Sequence, residues 1–300
     1  MAENPLVSCV IPTYKRSDLL NRAVDSVLGQ TYSNVEVLVV DDNEKGSAES
    51  LTVREIVESY SDSRVKLVTQ PKHINGAEAR NAGVRASVGD FIAFLDDDDY
   101  WLPTKLEKQV QALNDNPDYA GCSCLYSHYS NDVVVRSCPP YTGDNLHRKI
   151  LGRDVAVFTS TVILRKDKLL ESGLFNNSLR RHQDLQLLLD FTLNNKITVL
   201  NEYLVKLYID SNINRANDVQ RLIEVKRMFF EACSKHLNMY SKKEQRDILA
   251  AHYFEIVLVA LRGKEYGVVL KYLAIIGLNF RAYSQLLKRM KERKLKVEII

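Results

Sequence analysis

Apolar positions along the chain alternate between two rhythms. Residues 6–11 form a short β-prone run ending at Pro12, and Leu19, Leu20, Val24, Val27 and Leu28 then fall at helical spacing over residues 17–30. Residues 35–40 repeat the strand signal and end at Asp41-Asp42. A helical segment starts near Leu51, and residues 65–68 predict a third strand. Residues 76–86 predict an alanine-rich helix carrying Arg80 and Asn81, which leads through Gly89 into a strand over residues 91–95. Strands and helices in strict alternation predict an α/β fold with a mostly parallel sheet and helices on both faces.

The rhythm then changes. Pro103 opens a helix running to about Leu113, and residues 119–126 and 133–135 predict antiparallel strands around a turn at Asn131-Asp132. Residues 161–164 read as a strand, 182–193 as a helix and 197–209 as an extended segment. Strand signals stop there, and a boundary is expected near Asn212. From about Asn214 the pattern is helical, over residues 222–236, 242–262 and 267–296. The expected organisation is a domain over residues 1–212 and a helical region over 213–300, with neither a repeat nor a proline- or glycine-rich linker between them.

Composition narrows the classes. The 300 residues are 45% hydrophobic, enough for a sizeable core, and 41 Lys+Arg against 38 Asp+Glu give no electrostatic case for nucleic acid as a partner. The five cysteines are odd in number and lie in or beside apolar segments, which predicts reduced thiols. Cys122 and Cys124 lack a second pair or a histidine cluster to complete a metal site, so the strand reading is preferred. The N-terminus has no basic segment followed by a long apolar one, and no export is expected. The longest apolar stretch near the C-terminus, residues 268–280, is broken by Lys271 and falls short of the ~20 residues that span a bilayer, so a cytoplasmic protein is expected.

The chemistry concentrates at Asp96, Asp97, Asp98 and Asp99, directly after the apolar run 91–95. Four adjacent carboxylates repel one another at neutral pH, and sharing a hard cation relieves that repulsion. Such a cation implies a phosphate-bearing substrate. Asp41-Asp42 end another strand and are expected on the same sheet edge, where ligands bind in open α/β sheets. The plainer alternative is a solvated acidic turn capping the next helix, a role that Asp99 suits.

The runs Val10-Ile11-Pro12-Thr13-Tyr14-Lys15-Arg16, Val40-Asp41-Asp42-Asn43, Ala79-Arg80-Asn81-Ala82-Gly83 and Phe94-Leu95-Asp96-Asp97-Asp98-Asp99 together resemble glycosyltransferase family 2, in order and spacing, over the first two thirds of the chain. The resemblance implies a GT-A fold, with a nucleotide-sugar half over about residues 1–115 and an acceptor half over about 116–212. It also implies a D-x-D motif at Asp96, Asp97 and Asp98 holding Mn²⁺ or Mg²⁺ on a nucleoside diphosphate sugar. Asp98 would be the direct ligand with Asp96 beside it, and Asp96 or Asp97 would serve the sugar or ribose. Asp42 would accept a hydrogen bond from the base, Pro12 and Tyr14 would line its pocket, and Arg80 would face the nucleotide.

Arg181-His182-Gln183-Asp184 resembles the family's E-D or Q-D motif, which makes Asp184 the general base. The alternative is a carboxylate favoured by the helix dipole. His182 can orient substrate or be structural. Residues 158–161 resemble a stretch near the acceptor pocket, and Trp101 can be a sugar platform or pack beneath the acidic loop. Arg281, Lys288, Arg289, Lys291, Arg293, Lys294 and Lys296, interleaved with Leu286, Leu287, Met290 and Leu295, form a basic amphipathic pattern. It suits peripheral association with an anionic membrane and equally a solvated helix.

The expected activity is inverting, metal-dependent transfer of a hexose or N-acetylhexosamine from a nucleotide-sugar donor, a UDP-sugar, to a saccharide acceptor. A lipid-linked acceptor on polyprenyl diphosphate, as in O-antigen or capsule assembly, fits by analogy. The rivals are a catalytically inactive nucleotide-sugar-binding partner and a receiver-like phosphotransfer protein.

Overall fold

The computed structural model describes residues 4–155, 157–209, 218–277, 279 and 283. Two units divide the chain: Met1–Asp144 with Val157–Ile209, and Asn145–Ala156 with Asp210–Ile300. Asn212, the expected boundary, lies outside the described residues, as does the basic segment from Arg281 onward.

In the first unit, β1 (Val7–Thr13), α1 (Ser17–Leu28), β2 (Val35–Asp41), α2 (Ala48–Ser59), β3 (Val65–Thr69), α3 (Gly76–Ala86) and β4 (Phe91–Phe94) follow the expected alternation. Then come β5 (Tyr100–Trp101), α4 (Lys105–Asp115), β6 (Tyr119–Ser130) and β7 (Val133–Ser137). After α5 (Leu146–Leu151), part of the second unit, the first unit resumes with β8 (Ile163–Arg165), α6 (Lys166–Ser172), α7 (Gln183–Asn194) and β9 (Lys196–Tyr208). The sheet order is β3-β2-β1-β4-β8-β6-β9-β5, with β7 on β6.

Strands β3, β2, β1 and β4 are parallel throughout. Strand β8 runs antiparallel to β4 and β6, β6 and β9 are parallel, and β5 and β7 add antiparallel edges. The continuous apolar runs of β1 and β2 reflect cover on both sheet faces: their interior residues are buried almost without exception. Helix α1 supplies Leu20, Ala23, Val24 and Val27 to the same core.

Register brings the acidic motifs together. Thr13 pairs with Asp41 and Val10 with Phe94, and the Asp42 N–H continues the ladder to the Thr13 carbonyl at 3.0 Å. The chain therefore leaves β1, β2 and β4 at one sheet edge, carrying Tyr14, Asp42 and Asp96 with it.

Helix α3 lies unusually close to the sheet, and Gly83 is the reason. A Cβ there would stand 2.3 Å from Val10 Cγ1 and 3.1 Å from Val40 Cγ2. Asn75 caps this helix by accepting from the Glu78 N–H at 3.1 Å. The glycine thus sets how deeply the Arg80-Asn81 pair sits against the strand ends.

Two features depart from the periodic reading, and the hairpin between them follows it. Thr159–Thr161 forms a 3₁₀ turn, tightened by the Thr161 hydroxyl on the Phe158 carbonyl at 2.7 Å, so the strand expected over 161–164 begins at Ile163. The β6–β7 hairpin turns on Asn131 and Asp132, both at positive φ (48° and 61°), as the polar dipeptide predicts. Strand β5 and helices α5 and α6 span 2, 6 and 7 residues, too few to show a period.

The second unit holds α5, α8 (Val219–Ala232), α9 (Ser234–Asn238), α10 (Lys242–Arg262) and α11 (Tyr266–Ile276). Buried Lys226 contacts Glu255 at 2.6 Å and His252 Nδ1 at 3.2 Å, and His252 Nε2 donates to the Leu151 carbonyl at 2.9 Å. This network fastens the 145–156 segment to the other helices of its unit. Among the described residues, no helix is long and apolar enough to cross a membrane.

Gly83→Ala should destabilise the protein by about 1–3 kcal/mol, since the methyl group must displace branched side chains in a full core. Denaturant midpoints of the two proteins measure this; an unchanged midpoint would refute the close-approach role.

Candidate functional site

Asp42 ends the β2 edge almost completely buried, at 2% exposure. Its Oδ1 accepts from Gln70 Nε2 at 2.8 Å, and its Oδ2 from His73 Nδ1 at 2.9 Å, which must carry the proton because a carboxylate can only accept. Burial raises the Asp42 pKa, against the pull of His73. The His73 ring also stacks on Tyr14, with centroids 3.8 Å apart. Pro12 is half-buried on β1 beside this group. Tyr14, His73 and Asp42 thus form an aromatic and carboxylate wall, the chemistry that suits a planar base bearing an N–H.

Neighbouring Asp41 has a different task. Its carboxylate accepts from the Asn43 side chain at 2.8 Å and the Ser50 hydroxyl at 2.6 Å. Asn43 Oδ1 in turn accepts the Lys15 N–H at 3.0 Å, where Lys15 has a left-handed φ of 56°. This relay fixes the bend that presents Arg16.

Arg16 reaches the acidic quartet: its Nη1 lies 2.5 Å from Asp98 Oδ2 and its Nη2 2.7 Å from Asp97 Oδ1. Arg22 donates to the Asp98 carbonyl at 2.6 Å and lies over the Tyr208 ring. Asp96 pairs with Arg80, whose guanidinium also feels the charge of Asp184. Asp99 is buried and accepts from the Ser160 hydroxyl at 2.6 Å, and the same hydroxyl receives the Asp96 N–H at 3.2 Å. The 3₁₀ turn at residues 159–161 therefore pins the acidic loop from below.

Each carboxylate has its own electrostatic setting. Asp97, 1% exposed, is pushed up to about 7 by burial, which outweighs Arg16. Burial and then the charge of Asp96 raise Asp98, with Arg16 opposing; Asp99 is driven well up by burial and by Asp96 and Asp98.

The Ala79-Arg80-Asn81 run works in two directions. Arg80 turns to Asp96, while Asn81 accepts the Phe175 N–H and donates to the Phe175 carbonyl, both at 2.9 Å. That double bond holds the loop leading into α7. His182 stands before the helix at a left-handed φ of 63°, and Asp184 occupies its first turn. Burial raises the Asp184 pKa, opposed by the Leu185 N–H and Arg80. Arg80 is thus the electrostatic link between the acidic loop and Asp184.

Oxygens of Asp96, Asp98 and Asp99 lie within 4.8 Å of one another. This all-carboxylate donor set suits a hard divalent ion such as Mg²⁺ or Mn²⁺. Asp97 Oδ1 lies 2.7 Å from Arg16, yet neither buried oxygen of Asp97 accepts a well-directed hydrogen bond. The residues present fit such an ion.

Trp101 is not a sugar platform. It is fully buried, donates from Nε1 to the Ser160 carbonyl at 2.7 Å and lies under Lys105 at 3.9 Å. The five cysteines are free and buried, with Cys122 and Cys124 inside β6. Arg16, Asn43 and His73 are site residues that sequence reasoning left without a role, and Ser160, read there only as part of a stretch near the acceptor pocket, holds the acidic loop. For Arg16 and Asn43 the signal was their place inside the quoted motifs.

The family model described as Glycosyl transferase family 2 matches residues 8–174. The Escherichia coli UDP-Glc:alpha-D-GlcNAc-diphosphoundecaprenol beta-1,3-glucosyltransferase WfgD is 37% identical over 139 residues, which cover 45% of this chain and 51% of that protein. The amylovoran biosynthesis glycosyltransferase AmsB of Erwinia amylovora is 29% identical over 189 residues, 60% of this chain and 62% of the relative. The chain thus spans only about half to five-eighths of these two relatives.

Among solved structures, the mannosyltransferase PcManGT of Pyrobaculum calidifontis, in complex with GDP-Man and Mn²⁺, superposes with a TM-score of 0.63 at 17% identity, covering 99% of this chain and 84% of that one. S. aureus TarS 1-349 with UDP gives 0.56 at 18% identity, covering 93% and 91%. These likenesses show the GT-A fold.

With divalent ions chelated, Asp97→Asn should raise thermal stability at pH 8 and leave it nearly unchanged at pH 4. The raised folded pKa means that Asp97 favours the folded state below the unfolded value of about 3.9, and that this contribution is lost as pH rises through about 7. Melting temperatures of both proteins from pH 4 to 8 test this; a gain confined to low pH would overturn the assignment.

Proposed function

The chain belongs to glycosyl transferase family 2, and from that premise we propose that it transfers a hexose or N-acetylhexosamine from a nucleotide sugar to a saccharide hydroxyl with inversion. The observation that carries this reading is Arg80, paired with Asp96 on one side and coupled to Asp184 on the other. In this reading the groups that would bind the diphosphate and accept the proton share the field of Arg80. On the same reading residues 1–115 serve the donor and 116–212 the acceptor, apart from the segment 145–156, which joins the second unit.

Asp98 and Asp96 would hold Mn²⁺ or Mg²⁺, which when bound supplies positive charge to the diphosphate leaving group. Asp42 would accept from the base, Pro12 and Tyr14 would bound its pocket, and Arg80 would hydrogen-bond phosphate oxygens as negative charge develops. Asp96 or Asp97 would meet the ribose or sugar. As the acceptor oxygen attacks the anomeric carbon, the bond to the diphosphate breaks and Asp184 takes the hydroxyl proton. Its burial and raised pKa make it a better proton acceptor than a solvated aspartate.

A UDP-sugar donor and a polyprenyl-diphosphate-linked acceptor are supported by the names of the E. coli relatives, WfgD and WfaP, both UDP-Glc:alpha-D-GlcNAc-diphosphoundecaprenol glucosyltransferases. TarS has also been solved with UDP-GlcNAc. Such an acceptor places the reaction at the cytosolic face of a membrane, within polysaccharide assembly. An inactive binding partner is the lesser reading, since it leaves Asp184, half-buried and within the field of Arg80, without a task.

Asp98→Asn and Asp184→Asn should each cut turnover by about 100-fold or more. Only Asp98→Asn should weaken Mn²⁺ binding, while Asp184→Asn keeps nucleotide affinity. Full turnover in either variant removes the role given to that residue. A panel of UDP- and GDP-sugars, read by nucleoside diphosphate release with a lipid-linked saccharide, should give release with a UDP-sugar; release from GDP-sugars alone would overturn the choice of base.

A further inference from the structure

Arg16 lies across two members of the acidic quartet, and one of them, Asp98, is the carboxylate assigned above to the divalent ion. One guanidinium nitrogen is 2.5 Å from Asp98 Oδ2 and the other 2.7 Å from Asp97 Oδ1. The fork thus spans adjacent carboxylates instead of gripping one. Arg80 does the same service for Asp96. A divalent ion settling among Asp96, Asp98 and Asp99 would meet a fixed positive charge within a carboxylate's width, so ion and guanidinium oppose each other there.

The two arginines are mounted differently. The Arg80 side chain is only 14% exposed, on the interior of α3, and shares its charge with Asp184. Arg16 sits in the loop before α1, outside both β1 and the helix, with its side chain 34% exposed. Its backbone is held by the Lys15 bend and the Asn43 hydrogen bond, so the side chain can swing about a fixed point. A diphosphate placed over the quartet offers that guanidinium oxygens of matching geometry.

We infer that Arg16 is an internal counter-cation that competes with a bare divalent ion for Asp98 and Asp97 and yields when a diphosphate arrives with the ion. The inference rests on the metal site proposed above. Arg16 acts through the carboxylates and is a positioning residue. The consequence is coupling: metal and nucleoside diphosphate bind better together than either does alone, because the diphosphate draws Arg16 away from the ligands the metal needs. The loop also keeps most of its repulsion neutralised while the site turns over.

The test is Mn²⁺ titration followed by the spectroscopic signal of free Mn²⁺, with and without UDP, on the full chain. Wild type should bind Mn²⁺ weakly alone and about 10-fold or more tightly with UDP. Arg16→Gln should bind Mn²⁺ alone about 10-fold more tightly than wild type and lose most of the coupling, while Arg16→Lys, which restores the charge, should return towards wild type. Weaker or unchanged Mn²⁺ binding in a folded Arg16→Gln protein would overturn the inference, as would wild-type coupling in that variant. If Arg16→Gln does not fold, Arg16→Ala takes its place with the same two outcomes: tighter Mn²⁺ binding with lost coupling supports the inference, and unchanged binding overturns it. Asp98→Asn separates the two claims: Mn²⁺ binding that survives it refutes the site itself, whereas binding lost with Asp98→Asn but indifferent to Arg16 refutes only the competition.

Discussion

Negative charge confined to a short loop is the constraint to which this site answers. Asp96 to Asp99 leave β4 where burial makes ionisation of Asp97, Asp98 and Asp99 costly, and three sets of partners share the four carboxylates. Arg16 serves Asp97 and Asp98, Arg80 serves Asp96, and Ser160 with the Tyr208 N–H serves Asp99. Those partners come from the loop after β1, helix α3, the turn before β8 and strand β9. Neutralising one loop therefore ties together elements from the whole length of the first unit.

The same economy appears in the short motifs. In Ala79-Arg80-Asn81-Ala82-Gly83, the glycine lets α3 rest on Val10 and Val40, which brings Arg80 to the strand ends and Asn81 to the Phe175 backbone. One helix thereby joins the acidic loop to the loop that delivers Asp184. In Val40-Asp41-Asp42-Asn43, only Asp42 faces the aromatic wall, while Asp41 and Asn43 brace the bend at Lys15. Adjacent acidic residues thus divide into one that joins the aromatic wall and one that holds backbone.

The second unit follows a separate logic. Segment 145–156 leaves the sheet domain's sequence and joins helices far along the chain, through His252 on Leu151 and through His147 on His236 at 3.0 Å. Periodicity found the long helices α8 and α10. It could not find α5, whose six residues show no repeat and whose partners lie about 90 to 100 residues away.

By itself the sequence determined the α/β alternation, the end of β4 as the acidic centre, the helix that carries Arg80 and the placing of Asp184 at the start of its helix. These are local matters, set by side-chain period and by residues adjacent in the chain. The tertiary structure alone decided which cation meets which carboxylate, that Trp101 is core, and that His73 closes on Tyr14 and Asp42. Those pairings join residues 16 to 82 positions apart. They depend on strand register and on how closely α3 approaches the sheet, which no local pattern encodes.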